Sequence, residues 1–285
     1  MSESIEYALG ALLLYGVADF VYKRGATAGV EPHHFLMVQT WCFTPCALVY
    51  GLASGTLAFN VAALWGVAAG VCAVVGYYNF AHSLRSGLVS TNATIFRLSF
   101  GITVALAVVV LGEPLTAPKL AGLVLVATAV WLLLAAPSAG TRGARRESRS
   151  SFVRVLVATV AVGILSFTYK VGLRAGAALV ALVVTQGLVA VTLSTGLTAY
   201  VDRRIRPSRA AWSHAPIAAV LLVTAFIFLA KALQSGQASL VVPVAQMGFV
   251  VTALLGFLLL REPFTVRKGA GLAVALAALA CLAKG

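Results

Sequence analysis

The stretch Gly16-Val-Ala-Asp-Phe-Val-Tyr-Lys-Arg-Gly25 occurs twice in this chain, and its second copy is Gly163-Ile-Leu-Ser-Phe-Thr-Tyr-Lys-Val-Gly172. Gly, Phe, Tyr, Lys and Gly recur at identical spacing, with an offset of 147 residues (169 minus 22). Gln186 follows Gln39 at the same offset. The repetition indicates that one structural unit is present in two copies.

A second duplicated motif lies towards the end of each copy. Leu-Gly-Glu113-Pro-Leu-Thr corresponds to Leu-Arg-Glu262-Pro-Phe-Thr at an offset of 149 residues (262 minus 113). Proline suits the first turn of a helix, and a carboxylate there complements the helix dipole. We therefore interpret both Glu-Pro pairs as turn chemistry that starts the next helix.

The composition predicts a membrane protein. Of the 285 residues 61% are hydrophobic and 10% charged, and the mean hydropathy is +0.98, whereas soluble domains carry about 25% charged residues. The net charge of +13 would suggest nucleic acid in a soluble protein. Here the basic residues lie in short loops without a nucleic-acid-binding motif, so the lipid bilayer, and not nucleic acid, is the predicted surrounding.

The predicted fold is an all-α polytopic membrane protein with ten transmembrane helices in two inverted five-helix repeats around a central cavity. A spanning helix needs about 20 apolar residues, and ten runs qualify: 5–23, 34–53, 60–83, 89–111, 116–135, 153–174, 179–200, 212–234, 240–260 and 265–283. The repeats are 1–136 and 152–285, and the small, polar and basic segment 137–151 is interpreted as a mobile linker. Because five is odd, the second repeat runs through the membrane in the opposite sense, which is typical of secondary transporters.

The distribution of Lys and Arg predicts the orientation. Fifteen of the 21 lie on the side where the odd-numbered loops join spans 1–2, 3–4, 5–6, 7–8 and 9–10, and four lie on the other side. Basic residues concentrate in cytoplasmic loops. The odd-numbered loops are therefore predicted to be cytoplasmic, with both termini outside.

No enzyme, cofactor or metal signature is present. Among the eight acidic residues only Asp19 lies deep inside a predicted span, since Glu6 is at the very start of the first one, so paired-carboxylate chemistry has no second member. HExxH, GxSxG and Walker motifs are absent. The four cysteines lie in apolar runs without a CxxC pattern. We expect neither catalysis nor a cofactor nor a bound metal.

Two ionisable side chains inside spans are the leading site candidates, because such residues are costly in a membrane. Asp19 either pairs with Lys23 one turn along its helix or belongs to a substrate site. Arg97 pairs with Asp19 or binds an anionic group of the substrate, and we favour an Arg97 that faces the cavity. Its counterpart in the second repeat is the neutral Gln246.

The third span offers a further candidate face, formed by Tyr78 and His82 with Asn79 adjacent. Either His82 packs between helices or it lines the site. Its counterpart in the second repeat, Lys231, either lines the site or extends to the membrane interface.

The remaining candidates are polar side chains and two prolines. Polar residues line sites but also hold transmembrane helices together, so both roles stay open for Tyr22, Gln39, Ser166, Tyr169 and Gln186. Pro45 and Pro243 interrupt spans, and a proline frees a backbone carbonyl one turn back. We predict a hinge at each.

Three features carry a family resemblance: Phe80-Ala-His82-Ser-Leu-Arg-Ser-Gly87 after the third span, its counterpart Ala230-Lys-Ala-Leu-Gln-Ser-Gly236, and the two Glu-Pro motifs. In these the chain resembles the drug/metabolite transporter superfamily in its EamA-type, ten-helix form, and is most similar to the aromatic amino acid exporters of bacterial inner membranes. The resemblance covers the whole chain. It implies a central cavity lined by spans 1, 3, 4, 6, 8 and 9.

The predicted function is export of aromatic and other neutral amino acids, and of related metabolites, by alternating access, as a monomer or homodimer. Arg97 would bind the carboxylate, and tyrosine faces would bind the ammonium group. Proton coupling would use Asp19 or His82, and facilitated diffusion is equally compatible. The alternatives are a cationic-drug exporter, which needs an accessible carboxylate, and a scaffold or sensor that binds a ligand without transporting it.

Overall fold

The computed structural model describes residues 3–134, 142–235 and 244–284. The helices in these ranges are α1 (Glu3–Thr27), α2 (Pro32–Ala53), α3 (Trp65–Ser86), α4 (Val89–Arg97), α5 (Ser99–Leu111), α6 (Ala117–Leu134), α7 (Arg142–Arg174), α8 (Leu179–Asp202), α9 (Arg209–Ser235), α10 (Gly248–Leu259) and α11 (Val266–Lys284). A 3₁₀ turn, Val61–Leu64, precedes α3.

Seven of the described helical segments are long and apolar enough to cross a membrane. Shorter apolar helices cover Ala117–Leu133 and Val244–Leu259. In a bilayer the backbone must satisfy its hydrogen bonds internally, and a helix does this within one segment. The described part of the chain is therefore an all-helical, multi-pass membrane structure.

The turns after α1 and α7 are built alike. Gly29 has a φ of 75° and Gly176 a φ of 88°, a left-handed conformation that glycine adopts without a Cβ clash. Each turn lets the chain reverse within a few residues, so α2 and α8 return alongside α1 and α7.

Two helix breaks also occur at equivalent positions. Leu98, with φ −73° and ψ 0°, separates α4 from α5, and Met247, with φ −68° and ψ 3°, precedes α10. The Leu98 amide donates to the Ile95 carbonyl at 3.1 Å, as the Met247 amide does to Val244 at 3.1 Å. A 3₁₀ turn within a helix often marks a functional hinge.

The predicted hinge at Pro45 does not coincide with a break, because α2 continues through Pro45. A proline removes one hydrogen bond, but its fixed φ of about −65° remains close to helical values. The other predicted hinge, Pro243, lies outside the described residues.

The two halves are packed together through matching pairs of helices. α1 packs against α9 and α10, and its counterpart α7 packs against α3 and α5. α2 packs against α8 and α9, α8 also packs against α3, and α6 packs against α11. The most extensive helix contacts therefore lie between the halves, while the aromatic rings of Tyr22, Phe35, Phe80 and Phe96 pack within the first half.

The duplicated glycines explain why these helices can approach so closely. A Cβ on Gly16 would lie 2.6 Å from the carbonyl oxygen of Gly248, and one on Gly163 would lie 2.8 Å from a backbone oxygen of α5. At these crossings the Thr252 hydroxyl donates to the Gly16 carbonyl at 2.9 Å, and the Thr103 hydroxyl to the Gly163 carbonyl at 3.0 Å. Small residues and hydroxyl groups are the usual means of helix association in membranes.

The segment interpreted as a linker is largely helical, since α7 begins at Arg142. Arginine, which occurs four times in this segment, is a good helix former. Residues 135–141 lie outside the described ranges.

Candidate functional site

A cavity of about 290 Å³ lies between the two halves. Residues of α1, α3, α4, α5, α7 and α9 line it, together with Gln246. α2 and α8, which correspond to spans 2 and 7, also contribute walls, so the set of helices implied by the resemblance is incomplete. The counterpart turns at Gly29 and Gly176 fold these two helices back onto the core, where their buried faces reach the cavity.

The cavity wall is mostly apolar, with polar groups at a few positions, as is usual in ligand sites. The amide, hydroxyl and charged side chains that line it are Tyr15, Gln39, Thr40, Thr44, Tyr77, Arg97, Ser99, Ser166, Tyr169, Gln186 and Gln246. Among the described lining residues Arg97 is the only charged one.

Arg97 forms a buried two-point ion pair with Asp19. Its Nε lies 3.0 Å from Oδ2 and its Nη2 lies 2.9 Å from Oδ1, and the residues are 6% and 2% exposed. The guanidinium carbon also lies 4.6 Å from the centre of the Tyr15 ring, a cation–π distance. The pair leaves the cavity formally neutral, and Asp19 itself does not line it.

Arg97 keeps hydrogen-bonding capacity despite this pair. Guanidinium has five N–H donors; two bind Asp19, and Nη2 also donates to the Tyr15 carbonyl at 3.4 Å. Nη1 makes no hydrogen bond to any described residue. Arg97 ends α4 at the break and lines the cavity there.

Lys23 does not pair with Asp19. Its Nζ donates to the carbonyls of Leu84 at 2.8 Å and Gly87 at 2.7 Å. These carbonyls close α3, where the helix dipole is negative. Lys23 therefore fastens the end of α3, and the alternative of an Asp19–Lys23 pair is wrong.

The duplicated Tyr and Gln form the same hydrogen bond in both halves. The Tyr22 hydroxyl donates to Oε1 of Gln39, and the Tyr169 hydroxyl donates to Oε1 of Gln186. Gln39, Tyr169 and Gln186 line the cavity, as does Ser166. Tyr22 is only 1% exposed and lies behind Gln39, so it positions a lining residue.

Three predicted residues of α3 lie away from the cavity. Asn79 accepts from Nη1 of Arg154 in α7 at 3.1 Å, and the His82 and Tyr78 rings are 6.2 Å apart on the same face. The residues of α3 that reach the cavity are Ala73, Val74 and Tyr77, and the sequence interpretation missed Tyr77, the polar one. The available signal was the aromatic Phe226 at its counterpart position, which also lines the cavity.

Lys231 also lies away from the cavity. Its Nζ is 5.4 Å from the centre of the Tyr7 ring. Both members of the predicted His82–Lys231 counterpart pair are thus outside the lining.

One end of the bundle contains the α3–α4 turn and is called the α3–α4 end. There Glu262 accepts hydrogen bonds from the backbone of Val89 at 2.6 Å and of Ser90 at 3.0 Å, and from the Ser90 hydroxyl at 2.5 Å. It caps the start of α4 in the other half, where unpaired N–H groups and the positive dipole end attract an anion. The expectation that Glu262 serves its own turn is wrong. Glu262, at 8% exposed, is a second buried acid besides Asp19.

The opposite end contains the α7–α8 turn and is called the α7–α8 end. Glu113, the counterpart of Glu262, lies there, 2.7 Å from Nζ of Lys170 through Oε1, and also binds Arg174. The hydrogen bond from Lys170 and the positive charges of Lys170, Arg174 and Lys119 lower the pKa of Glu113. The cavity lining reaches this end at Leu173 and Leu179 and includes no residue of the α3–α4 turn.

Family membership follows from the sequence taken as a whole. The model of the EamA-like transporter family matches residues 4–135 and, a second time, 150–283. The chain belongs to the EamA-like transporter family. It is thus a multi-pass membrane protein of a transporter family, and the cavity lies between the two segments that match.

Solved structures resemble the EamA-family chain in fold. One crystal structure of a protein aligns over 99% of this chain and 96% of its own, with a TM-score of 0.67 and 16% identity. That likeness concerns the fold alone. No curated protein matches the chain.

Proposed function

We propose that this protein carries neutral amino acids and related small metabolites across a bacterial-type inner membrane, with the cavity as the substrate site. The supporting observation is the state of Arg97. Its charge is balanced by Asp19, yet Arg97 lines the cavity and its Nη1 makes no hydrogen bond to a described residue. A zwitterion can bind such a group without bringing net charge into the membrane.

The rest of the wall suits the other parts of an amino acid. Gln39 and Gln186 accept from tyrosines through Oε1, so their NH₂ groups face other partners as donors. Oγ1 of Thr44 is buried without a partner among the described residues, and a ligand group could satisfy it. The faces of Tyr77 and Tyr169 suit an ammonium group or an aromatic side chain. A volume of about 290 Å³ lies at the small end for ligand pockets.

The same geometry argues against a cationic-drug exporter. Such a site needs a carboxylate that the ligand can reach, and Asp19 is 2% exposed with both oxygens bound to Arg97. A cation would have to displace a two-point ion pair.

Alternating access is the proposed mechanism, with ten spans in two inverted repeats whose odd-numbered loops are cytoplasmic. Buried hydrogen bonds from Val89 and Ser90 to Glu262 join the halves at the α3–α4 end. The cavity lining instead reaches the α7–α8 end at Leu173 and Leu179. In this proposal the present arrangement is the outward-facing one.

The test is counterflow of labelled amino acids in liposomes. The key variant is Asp19→Asn/Arg97→Gln, which neutralises both partners at once, because removing one partner alone strands a buried charge. We expect this variant to insert and remain monodisperse but to lose counterflow of zwitterionic substrates. His82→Gln is the matched control, since His82 is titratable, sits in a span and lies outside the cavity lining.

Three outcomes would overturn parts of the proposal. Wild-type counterflow in the double variant would remove Arg97 from the substrate site. Saturable amino-acid binding without counterflow in the wild type would replace transport by the scaffold or sensor function. Counterflow of cations with none of zwitterions would reverse the assignment of substrate class.

A further inference from the structure

Two histidines and an aspartate meet at the α3–α4 end, outside the cavity lining. His33 and His34 lie in the first turn of α2, and Asp202 is the last residue of α8. Nε2 of His33 is 3.2 Å from Oδ1 of Asp202, and Nε2 of His34 is 2.5 Å from Oδ2. The three groups therefore join equivalent helices of the two halves.

We propose that His33, His34 and Asp202 form a binding site for a divalent transition-metal ion of the Zn²⁺ class. Consecutive residues of a helix point about 100° apart, so their rings do not normally face one target. Here both rings turn their Nε2 atoms to a single carboxylate, and the rings meet edge to face with centres 4.5 Å apart. Such convergence is what shared coordination requires.

The donor set and spacing fit an ion of this class. Two imidazole nitrogens with one carboxylate oxygen suit Zn²⁺, Co²⁺ and Ni²⁺, whereas Ca²⁺ and Mg²⁺ prefer oxygen alone. The ligand atoms all lie within 4.8 Å of one another. Ligand bonds of about 2.0 Å at tetrahedral angles place donor atoms about 3.3 Å apart. The 3.2 Å between His33 and Asp202 is close to this spacing, and the 2.5 Å between His34 and Asp202 has to lengthen when an ion binds.

Burial leaves both a protected site and a path to it. The side chains of His33 and His34 are 8% and 13% exposed, and that of Asp202 is 23% exposed. An ion can enter past Asp202, where water can supply the fourth ligand. The next residue, Arg203, places its guanidinium over the Tyr200 ring, 5.5 Å from its centre.

The affinity should be moderate. Metal-binding histidines usually donate their second ring nitrogen to an outer acceptor, and losing that partner weakens binding about 10- to 100-fold. Nδ1 of His34 is buried without a hydrogen-bond partner among the described residues. An ion here would tie the start of α2 to the end of α8 and so join the halves at the α3–α4 end.

The test uses full-length protein in detergent, purified with a tag that contains no histidine. Co²⁺ is the probe, because its visible absorption reports coordination, and Zn²⁺ is the competitor. We expect one Co²⁺ per chain, displaced by Zn²⁺. The variants His33→Gln/His34→Gln and Asp202→Asn should each weaken Co²⁺ binding by more than about 100-fold. This exceeds the effect of losing a hydrogen-bond partner of a ligand, which is at most about 100-fold.

Two controls distinguish this site from other donors. His214→Gln should leave binding unchanged, because that imidazole already bonds to the Ala210 carbonyl at 2.9 Å. Cys42→Ser/Cys46→Ser should do the same, since those thiols lie elsewhere on α2. Size-exclusion profiles and melting temperatures without metal establish that each variant is folded.

Several results would overturn the proposal. One is that the wild type binds no Co²⁺, and another is that His33→Gln/His34→Gln still binds it. A third is that these residues affect only the pH dependence of stability in the metal-free protein. Where a variant fails to fold, X-ray absorption of the Zn²⁺-loaded wild type decides. Two imidazole ligands support the site, and sulfur ligands reject it. None of these readouts depends on transport.

Discussion

Glu113 and Glu262 occupy equivalent positions in nearly identical motifs but have different surroundings. Glu262 is buried and accepts three hydrogen bonds at the start of α4. Glu113 binds Lys170 and Arg174, whose side chains are 36% and 51% exposed. One motif thus makes a buried cap at the α3–α4 end and a solvated ion-pair cluster at the α7–α8 end.

The difference shows that these glutamates bind across the interface between the halves, not within their own turns. Under the alternating-access proposal the two arrangements are the closed and the open forms of one contact. Equivalent residues of the two repeats thus have different surroundings. Variants at these positions measure how much each difference contributes to stability and to substrate binding.

The largest expected effect concerns Arg97 and its neutral counterpart Gln246. Asp19→Asn alone leaves the Arg97 guanidinium buried without its partner, which typically costs about 3–5 kcal/mol. We expect a large fall in the thermal unfolding midpoint in detergent. Adding Arg97→Gln gives position 97 the same residue as its counterpart Gln246 and should restore most of the lost unfolding midpoint. A single variant as stable as the wild type would show that the pair is solvated.

Next is the comparison of Glu262→Gln with Glu113→Gln. Hydrogen bonds to charged groups contribute about 1.5–3 kcal/mol, while exposed ion pairs contribute at most about 1 kcal/mol. Glu262→Gln should therefore destabilise the protein more and speed amide exchange in the first turn of α4, measured by hydrogen exchange. Equal effects would contradict the distinction between the ends.

The two Tyr–Gln hydrogen bonds provide a smaller contrast. Tyr22→Phe should lower stability by about 1 kcal/mol, the usual net value of a buried hydrogen bond. Tyr169→Phe should affect stability less, because Tyr169 borders the cavity, but should weaken substrate binding. Unfolding midpoints and substrate titrations measure both. A binding defect in Tyr22→Phe alone would reverse the assignment.

The smallest effect is the pH dependence of the Glu113 cluster. Its pKa is lowered in the folded protein, chiefly by the hydrogen bond from Lys170. The stabilisation is therefore complete above the ordinary glutamate pKa of about 4.3 and is lost as pH falls through the lowered value. Glu113→Gln should make the thermal unfolding midpoint depend less on pH across this acidic range. An unchanged pH profile would show that the cluster does not stabilise the folded state.

Two site residues that the sequence repeats in both halves line the cavity in the structure. Gln39 and Gln186 were candidates because they repeat, and both line the cavity. Tyr77 was missed because α3 carries two adjacent tyrosines about 100° apart, and the interpretation chose the face with His82. In a membrane, helix faces towards lipid and towards neighbouring helices are both apolar, so periodicity does not reveal which face lines a cavity.

The sequence alone determined that this chain is helical and membrane-embedded, because its apolar runs match the thickness of a bilayer. It also determined that the chain is duplicated, since Gly16 and Gly163 begin the same motif. Only the tertiary structure decided that Arg97 meets Asp19, that Glu262 caps α4, and that His33 and His34 meet Asp202. These contacts join residues far apart in the chain, and their partners depend on how the halves pack, which local sequence does not encode.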